Sequence, residues 1–344
     1  MRGPQRVRIW WRLACLVLAA ALLAACTATP PTVPHPEESG LSVAPQVSGP
    51  PLLVRAMSFN VLGGPVPDDW FPLIPRDELI PMARAPGLVK KVQVGDPDIV
   101  GMQEFAAGTD SASYIEAQLA GYTWLHASDN HALLVRTKRF TVVASGESKL
   151  NTAAQDGSIF DRYADWVRVR ERSSGRTLLV LNVHAHPWQS PEFAGVRSLA
   201  IRRLVTLIGE LDPGLVEPLV LLGDFNAGSA EDRPVFRDHR TLLRAAGIVD
   251  AKTLAARDAS DVPRAASLHQ MSAKVAGSGV AKVVRCSGSH VDYVWVPKGA
   301  HVSTWQVLSG PGLAWRRVRG VRMPIWTGTI PSDHSPVVAD LRFG

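Results

Sequence analysis

Cysteine is scarce in this chain, with three in 344 residues: Cys15, Cys26 and Cys286. So few thiols exclude a disulfide framework and a zinc site built on thiolates. A strong charge of either sign is missing too. Thirty-seven Lys and Arg face 31 Asp and Glu, a net of +6. Four of those bases, Arg2, Arg6, Arg8 and Arg12, lie in residues 1–25, which hold no acid. Without them 33 bases (37 less 4) oppose 31 acids, a net of +2. That balance gives no support to non-specific binding of duplex nucleic acid, which needs many phosphate contacts. Long apolar runs are absent beyond Leu13–Ala25, which is too short to span a bilayer comfortably. No internal repeat and no second linker interrupts the rest.

The amino terminus has a basic start, an apolar core and small residues at its end, the pattern of a secretory signal. Its last residues, Leu23-Ala24-Ala25-Cys26, resemble the lipobox of bacterial lipoproteins. The resemblance implies removal of residues 1–25, lipidation of Cys26, and a membrane-anchored protein facing outside the cytoplasm. An ordinary signal cut nearby is the alternative. If Cys26 carries lipid, Cys286 has no partner, and a buried thiol is the simplest reading of it. Residues 26–51 are rich in Pro, Thr, Ser and Val and read as an extended tether. From residue 52 to 344, strand and helix signals interleave without a break. One domain, expected to be a monomer, accounts for them.

Apolar runs and alternation predict strands over Leu52–Phe59, Ile99–Gln103, Tyr122–His126, Ala132–Arg136, Thr141–Leu150 and Ala164–Arg170. Further strands are predicted over Thr177–Val183, Leu219–Leu222, Val291–Val296, Val302–Leu308 and Val337–Arg342. Helices are predicted over Ala83–Val94, Ser111–Leu119, Glu192–Leu211 and Val235–Ala246. Many strands follow one another without a helix between, so two packed sheets covered by helices fit better than simple alternation.

Polar residues recur where these strands end. Gly223-Asp224-Phe225-Asn226-Ala227 follows the apolar run Pro218–Leu222. A carboxylate and an amide there either cap backbone amides or bind a hard cation and a water molecule. Asn60 ends Ser58-Phe59-Asn60, and Glu104 ends Gly101-Met102-Gln103-Glu104. His184 ends Asn182-Val183-His184. Asp292 lies in Val291-Asp292-Tyr293, and Asp333 and His334 lie in Ser332-Asp333-His334-Ser335-Pro336. Any one of these is commonly a turn or a solvated loop; six together are not independent accidents.

The set resembles the endonuclease/exonuclease/phosphatase superfamily, which includes deoxyribonuclease I, abasic-site endonucleases, neutral sphingomyelinases and inositol polyphosphate phosphatases. The match runs in order from about residue 54 to residue 340. It implies an α/β (α+β) fold, a four-layer α/β/β/α sandwich like that of deoxyribonuclease I. It also implies metal-dependent hydrolysis of a phosphate ester, with Mg²⁺ as cofactor and Mn²⁺ or Ca²⁺ as alternatives. Glu104 is then the best metal ligand, with Asn60 beside it and Asp333 completing a second position. Asp224 orients or deprotonates the attacking water, and Asn226 holds that water or a phosphate oxygen. His334 is the base or the transition-state cation, and Asp292 fixes its tautomer. His184 donates to a phosphate oxygen or protonates the leaving group. An acidic partner for His184 is not evident; Asp161 and Asp165 are weak candidates. His131 stands where family members often carry asparagine and receives no role.

The substrate is less legible. His186 and Trp188, directly after His184, are candidate substrate contacts, as are Arg162 and Arg316. The segment Gly310–Pro331 holds Trp315, Arg316, Arg317, Arg319, Arg322 and Trp326. It reads as a grip on a polyanion, as a contact with anionic lipid, or as a basic solvated hairpin. A phosphodiester of nucleic acid or of a phospholipid headgroup is the expected substrate. A phosphomonoesterase for sugar or inositol phosphates, or a silent binding protein on the same fold, are the alternatives.

Overall fold

Strand alternation builds the architecture. The computed structural model describes residues 50–67, 70–125, 130–156, 161–187, 193–228, 238–269, 271, 273–276, 279–283, 290–310, 312–318 and 320–344. The signal and all but the end of the tether, with Cys26, Trp188, Cys286 and Arg319, lie outside the described residues. In chain order the first elements are β1 (Leu52–Asn60), α1 (Arg76–Leu79), α2 (Pro81–Gly95), β2 (Ile99–Gln103), α3 (Asp110–Gln118), β3 (Tyr122–Leu125) and β4 (His131–Arg136). Next come β5 (Phe140–Asn151), α4 (Ala153–Asp156), β6 (Arg162–Glu171), β7 (Thr177–His184), α5 (Ala194–Leu211), β8 (Leu219–Asp224) and α6 (Asp238–Ala245). The remainder is β9 (Ile248–Asp250), α7 (Ala251–Leu254), β10 (Ala273–Ala276), β11 (Gly279–Lys282), β12 (Asp292–Pro297), β13 (His301–Val307), β14 (Leu313–Val318), β15 (Val321–Trp326) and β16 (Val337–Phe343).

Two six-stranded sheets result, ordered β13-β16-β1-β2-β4-β3 and β5-β6-β7-β8-β12-β9. Each has one parallel pair, β1 with β2 and β7 with β8. A helix makes each crossover, α2 in the first sheet and α5 in the second, as parallel neighbours require. The carboxyl ends of both parallel pairs lie at the same end of the sandwich, where Asn60 and Asp224 meet.

Three apolar clusters follow from alternation. The middle one takes Leu52, Val54 and Ala56 of β1, Leu133 and Val135 of β4, Val167 and Val169 of β6, Leu178 and Val180 of β7, and Val220 and Leu222 of β8. The opposite face of the first sheet packs Met57, Phe59, Val100 and Met102 under Ala85, Leu88 and Val92 of α2 and Ile115 of α3. The opposite face of the second sheet packs Leu179, Leu181, Leu219 and Leu221 under Ile201, Leu204 and Ile208 of α5. The layers therefore run helix, sheet, sheet, helix. Each fully buried aliphatic side chain in these layers stabilises by roughly 1.5–3 kcal/mol over exposure.

The inward phase turns polar at one end. Continuing by twos from the middle cluster gives Ser58 and Asn60, Gln103, His131, Asp165, Asn182 and His184, Asp224, and Asp292, all buried. Hydrogen bonds stitch the sheets together there. Gln103 Nε2 donates to Asn182 Oδ1 at 2.7 Å, Asn182 Nδ2 donates to Met102 O at 2.9 Å, and Gly223 N donates to Ser58 Oγ at 3.0 Å. Gly101 allows this closeness, because a Cβ on it would stand 2.6 Å from Asn182 Oδ1 and 2.9 Å from Leu222 Cβ.

Candidate active site

The centre starts from two carboxylates and one amide. Asn60 Nδ2 donates to Glu104 Oε1 at 2.9 Å and to Asp224 Oδ2 at 3.0 Å, and its Oδ1 accepts from Leu62 N at 3.0 Å. One side chain at the end of β1 thus orients a carboxylate from each sheet. Asp224 Oδ1 accepts from Asn226 N at 2.8 Å, while Asn226 Nδ2 donates to Ala185 O at 3.0 Å. Glu104 and Asn226 both have left-handed backbones, with φ of 56° and 47°. Asparagine tolerates that region; for glutamate it is uncommon, and such outliers concentrate at functional sites. Burial, and then the Asp292 carboxylate, push Asp224 up to about 7. Glu104, its side chain 36% exposed, is also raised, by lost hydration first and Asp333 second.

His334 forms the second part. Its Nδ1 donates to Asp292 Oδ2 at 2.8 Å, and its Nε2 stands 3.9 Å from both Asp224 Oδ2 and Asp333 Oδ1. Burial pulls the imidazole down, but Asp292, Asp333 and Asp224 outweigh it and hold His334 well above its ordinary value. Serines fix the two segments. Ser332 Oγ donates to Asn60 O at 2.8 Å and accepts from His334 N at 3.0 Å. Ser267 Oγ accepts from Val291 N and Asp292 N, and its carbonyl accepts from Ser335 N at 2.7 Å.

His184 closes the cluster from β7. Its Nε2 lies 3.8 Å from Glu104 Oε1 and 3.7 Å from Asp224 Oδ2, beyond hydrogen-bond length. Burial, followed by Arg162, His131 and His334, drives its pKa well below the ordinary value, so the ring is neutral. His186 is buried and stacks on Phe193, with ring centroids 4.4 Å apart.

The donor set suits a hard divalent cation. Glu104, Asp333 and Asn60 offer oxygens, the ligand type that Mg²⁺ and Ca²⁺ take. Glu104 is raised by burial first and by the Asp333 carboxylate second, and a cation between the two would relieve that second, like-charge cost. Asp224, Asp292 and His334 also bring ligand atoms within 4.8 Å of one another. Asp292 Oδ2 and His334 Nδ1 are already spent on each other in that group.

Of the residues expected from sequence, Asn60, Glu104, His184, Asp224, Asn226, Asp292, Asp333 and His334 come together. The charge of Arg162 reaches Glu104 and His184. Arg316 is exposed on β14, paired with Met323 of β15. The two weak candidates for the acid of His184 have other partners. Asp161 pairs with Lys149 and accepts from Ala153 N, and Asp165 Oδ2 holds His131 Nδ1 at 2.9 Å. Gly310–Pro331 contains the β14–β15 hairpin, a two-stranded sheet with Arg322 over the Trp315 ring at 5.5 Å.

Buried bases on α2 escaped the sequence reading. The Arg84 guanidinium, 1% exposed, donates to the carbonyls of Leu79, Val61, Leu62, Gly64 and Pro331. It thereby ties the loop after Asn60 to the loop before Asp333. Lys91 Nζ donates to Leu308 O at 3.0 Å and to Ser309 O. A signal was available: Arg84, Leu88 and Lys91 fall on one apolar stripe of α2, where solvated bases do not belong.

Comparison with known proteins agrees with this geometry. The model of the Endonuclease/Exonuclease/phosphatase family matches residues 57–334. A search of curated proteins returns no match. Among solved structures, the Bacteroides thetaiotaomicron mannosyl-6-phosphatase is similar, at 19% identity and a TM-score of 0.62, covering 84% of this chain and 99% of its own. The human Nocturnin catalytic domain with bound sulfate follows at 18% identity and 0.57, covering 85% and 95%. TDP2 from D. rerio, complexed with single-strand DNA product, follows at 14% identity and 0.54, covering 84% and 98%.

Proposed function

The chain belongs to the endonuclease/exonuclease/phosphatase family, and from that premise we propose an exported, Mg²⁺-dependent phosphodiesterase that acts by direct attack of water. The observation that carries this reading is Asp224. Its two oxygens are fixed by Asn60 and Asn226, and Oδ2 faces the His334–Asp292 pair at 3.9 Å. A carboxylate so held orients a water molecule and takes its proton, and the adjacent imidazolium stabilises negative charge growing on phosphorus oxygens. Glu104, with Asn60 and Asp333, would hold the cation, which when bound supplies Lewis-acid neutralisation of the ester. Asn226 positions Asp224, and the neutral His184 and the charge of Arg162 serve the phosphate oxygens.

Charge favours a diester. Arg84 is committed to five carbonyl oxygens. Among the described residues, the other permanently charged base acting on Glu104 and His184 is Arg162, beside the titratable imidazoles of His131, His186 and His334. That suits the single charge of a diester better than the double charge of a monoester. The diester is a phospholipid headgroup or a nucleic-acid link, and lipidated Cys26 would hold the enzyme at the outer face of a membrane. A monoester of a sugar or inositol is the second reading, suggested by the name of the Bacteroides neighbour.

The test is a substrate panel with residues 52–344 and Mg²⁺: plasmid DNA, sphingomyelin, phosphatidylinositol, inositol phosphates, and nitrophenyl mono- and diesters. Diester turnover above monoester turnover is expected. Asp224→Ala and His334→Ala should each lower kcat by at least ~100-fold while leaving the melting transition in place. Wild-type rates in either variant would sink the assignment. Labelled fatty acid should enter the full chain but not its Cys26→Ala variant.

A further inference from the structure

A second imidazole–carboxylate pair stands beside the centre. His131 opens β4 in one sheet, and Asp165 lies in β6 of the other. His131 Nδ1 donates to Asp165 Oδ2 at 2.9 Å, and the two residues are 5% and 1% exposed. Each occupies the inward phase of its strand, in line with Leu133 and Val135 and with Val167 and Val169 of the middle core. The pair therefore crosses between the sheets where that core gives way to the site. The His131 ring lies 6.2 Å from the His184 ring, centroid to centroid, tilted by 48°. In register, His131 faces Gln103, the residue before Glu104.

Sheet cohesion does not require such a pair. Two apolar side chains of similar volume would join the sheets without desolvating a carboxylate, and replacing buried ionic pairs in this way is often neutral or stabilising. A carboxylate on Nδ1 does serve chemistry. It fixes the ring and its tautomer and lets the other nitrogen carry a proton that can be given away. The carboxylates near Nε2 of His184 stand at 3.7 and 3.8 Å, beyond hydrogen-bond length, so they do not orient that ring as Asp165 orients His131. Of the two neighbouring imidazoles, His131 is the one oriented by a buried carboxylate at hydrogen-bond distance.

We propose that His131, positioned by Asp165, donates the proton to the leaving-group oxygen, and that the substrate is therefore a phosphate ester of an ordinary, weakly acidic alcohol. This rests on the phosphoesterase reading above. Water oxygen forms the new bond to phosphorus, and its proton passes to Asp224. The bond from phosphorus to the leaving oxygen breaks with its electron pair on that oxygen. The proton on Nε2 of His131 moves there and completes the alcohol. Solvent then returns a proton to His131 and takes one from Asp224.

The test compares two diesters that share a phosphoryl part but differ in leaving group, p-nitrophenyl methyl phosphate and phenyl methyl phosphate. Nitrophenolate leaves without a proton; phenolate benefits from one. His131→Gln should lower kcat/KM for the phenyl ester by ~100-fold or more and for the nitrophenyl ester by less than ~3-fold. Asp165→Asn should show the same split with a smaller loss, and it carries the test if His131→Gln does not fold. Added imidazole should restore phenyl ester turnover in His131→Ala. Equal losses on both esters, or no loss on either, would overturn the role of His131 and leave the phosphoesterase reading standing. No turnover of either ester by the wild type with Mg²⁺ would overturn both.

Discussion

Lys91 is the residue whose environment most plainly predicts a bulk property. It is 1% exposed, with Nζ bonded to two carbonyls and 4.6 Å above the Trp326 ring. Burial lowers it from 10.5 to about 7, against partial opposition from Asp261. Between those values the unfolded chain keeps a proton that the folded chain releases. Stability therefore rises with pH across that window, by up to about 1.4 kcal/mol per pH unit. Urea unfolding between about pH 7 and pH 10 should show this slope in the wild type and a flatter one in Lys91→Met. Parallel curves would refute the assignment. This residue also marks a limit of legibility. Asp224, Asn226, Asp333 and His334 announce themselves in GDFNA and SDHSP. Lys91 and Arg84 look like ordinary helix-surface bases until the loops that supply their carbonyls are seen to fold over α2. The same holds for Asp165: its inward phase in β6 was readable, but not that His131 of another sheet would claim it.

Among the elements, the long strands and helices were legible because alternation and apolar stripes are local. β2 over Ile99–Gln103 needed no revision, and Leu52–Phe59 grew by one residue to include Asn60. Asp292 is the first residue of β12 rather than inside a strand, which puts it level with Asp224. Short pieces such as α1, α7 and β9 were missed, since three or four residues carry too little period to read. Nor does any local pattern reveal how near the sheets stand. That distance is fixed at Gly101, whose missing side chain lets Asn182 Oδ1 reach Gln103 Nε2. Gly101→Ala should force the sheets apart there and cost about 1–3 kcal/mol. A lowered denaturant midpoint with an unchanged slope is the expected result. A wild-type midpoint would show that the sheets accommodate a methyl group.

At the scale of the whole molecule, the centre exists only when both sheets are folded against each other. Asn60 and Glu104 come from the first sheet and Asp224 and Asp292 from the second, with Asp333 arriving on the segment before β16. The unfolded chain scatters these oxygens, so a divalent cation that binds them binds the folded state alone. Binding then stabilises by mass action, about 2.7 kcal/mol when free metal stands at a hundred times Kd. The repulsion between Glu104 and Asp333 adds to the case, because the cation removes a cost that the metal-free fold carries. Mg²⁺ should therefore raise Tm in a concentration-dependent manner, and EDTA should reverse the rise. Glu104→Gln should shrink it while leaving the metal-free Tm unchanged or higher, since the same repulsion is gone. Calorimetry across an Mg²⁺ series on both proteins decides the matter. A wild-type Tm indifferent to divalent cations, or an undiminished shift in Glu104→Gln, would remove Glu104 from the metal site and leave its left-handed backbone without a functional reason.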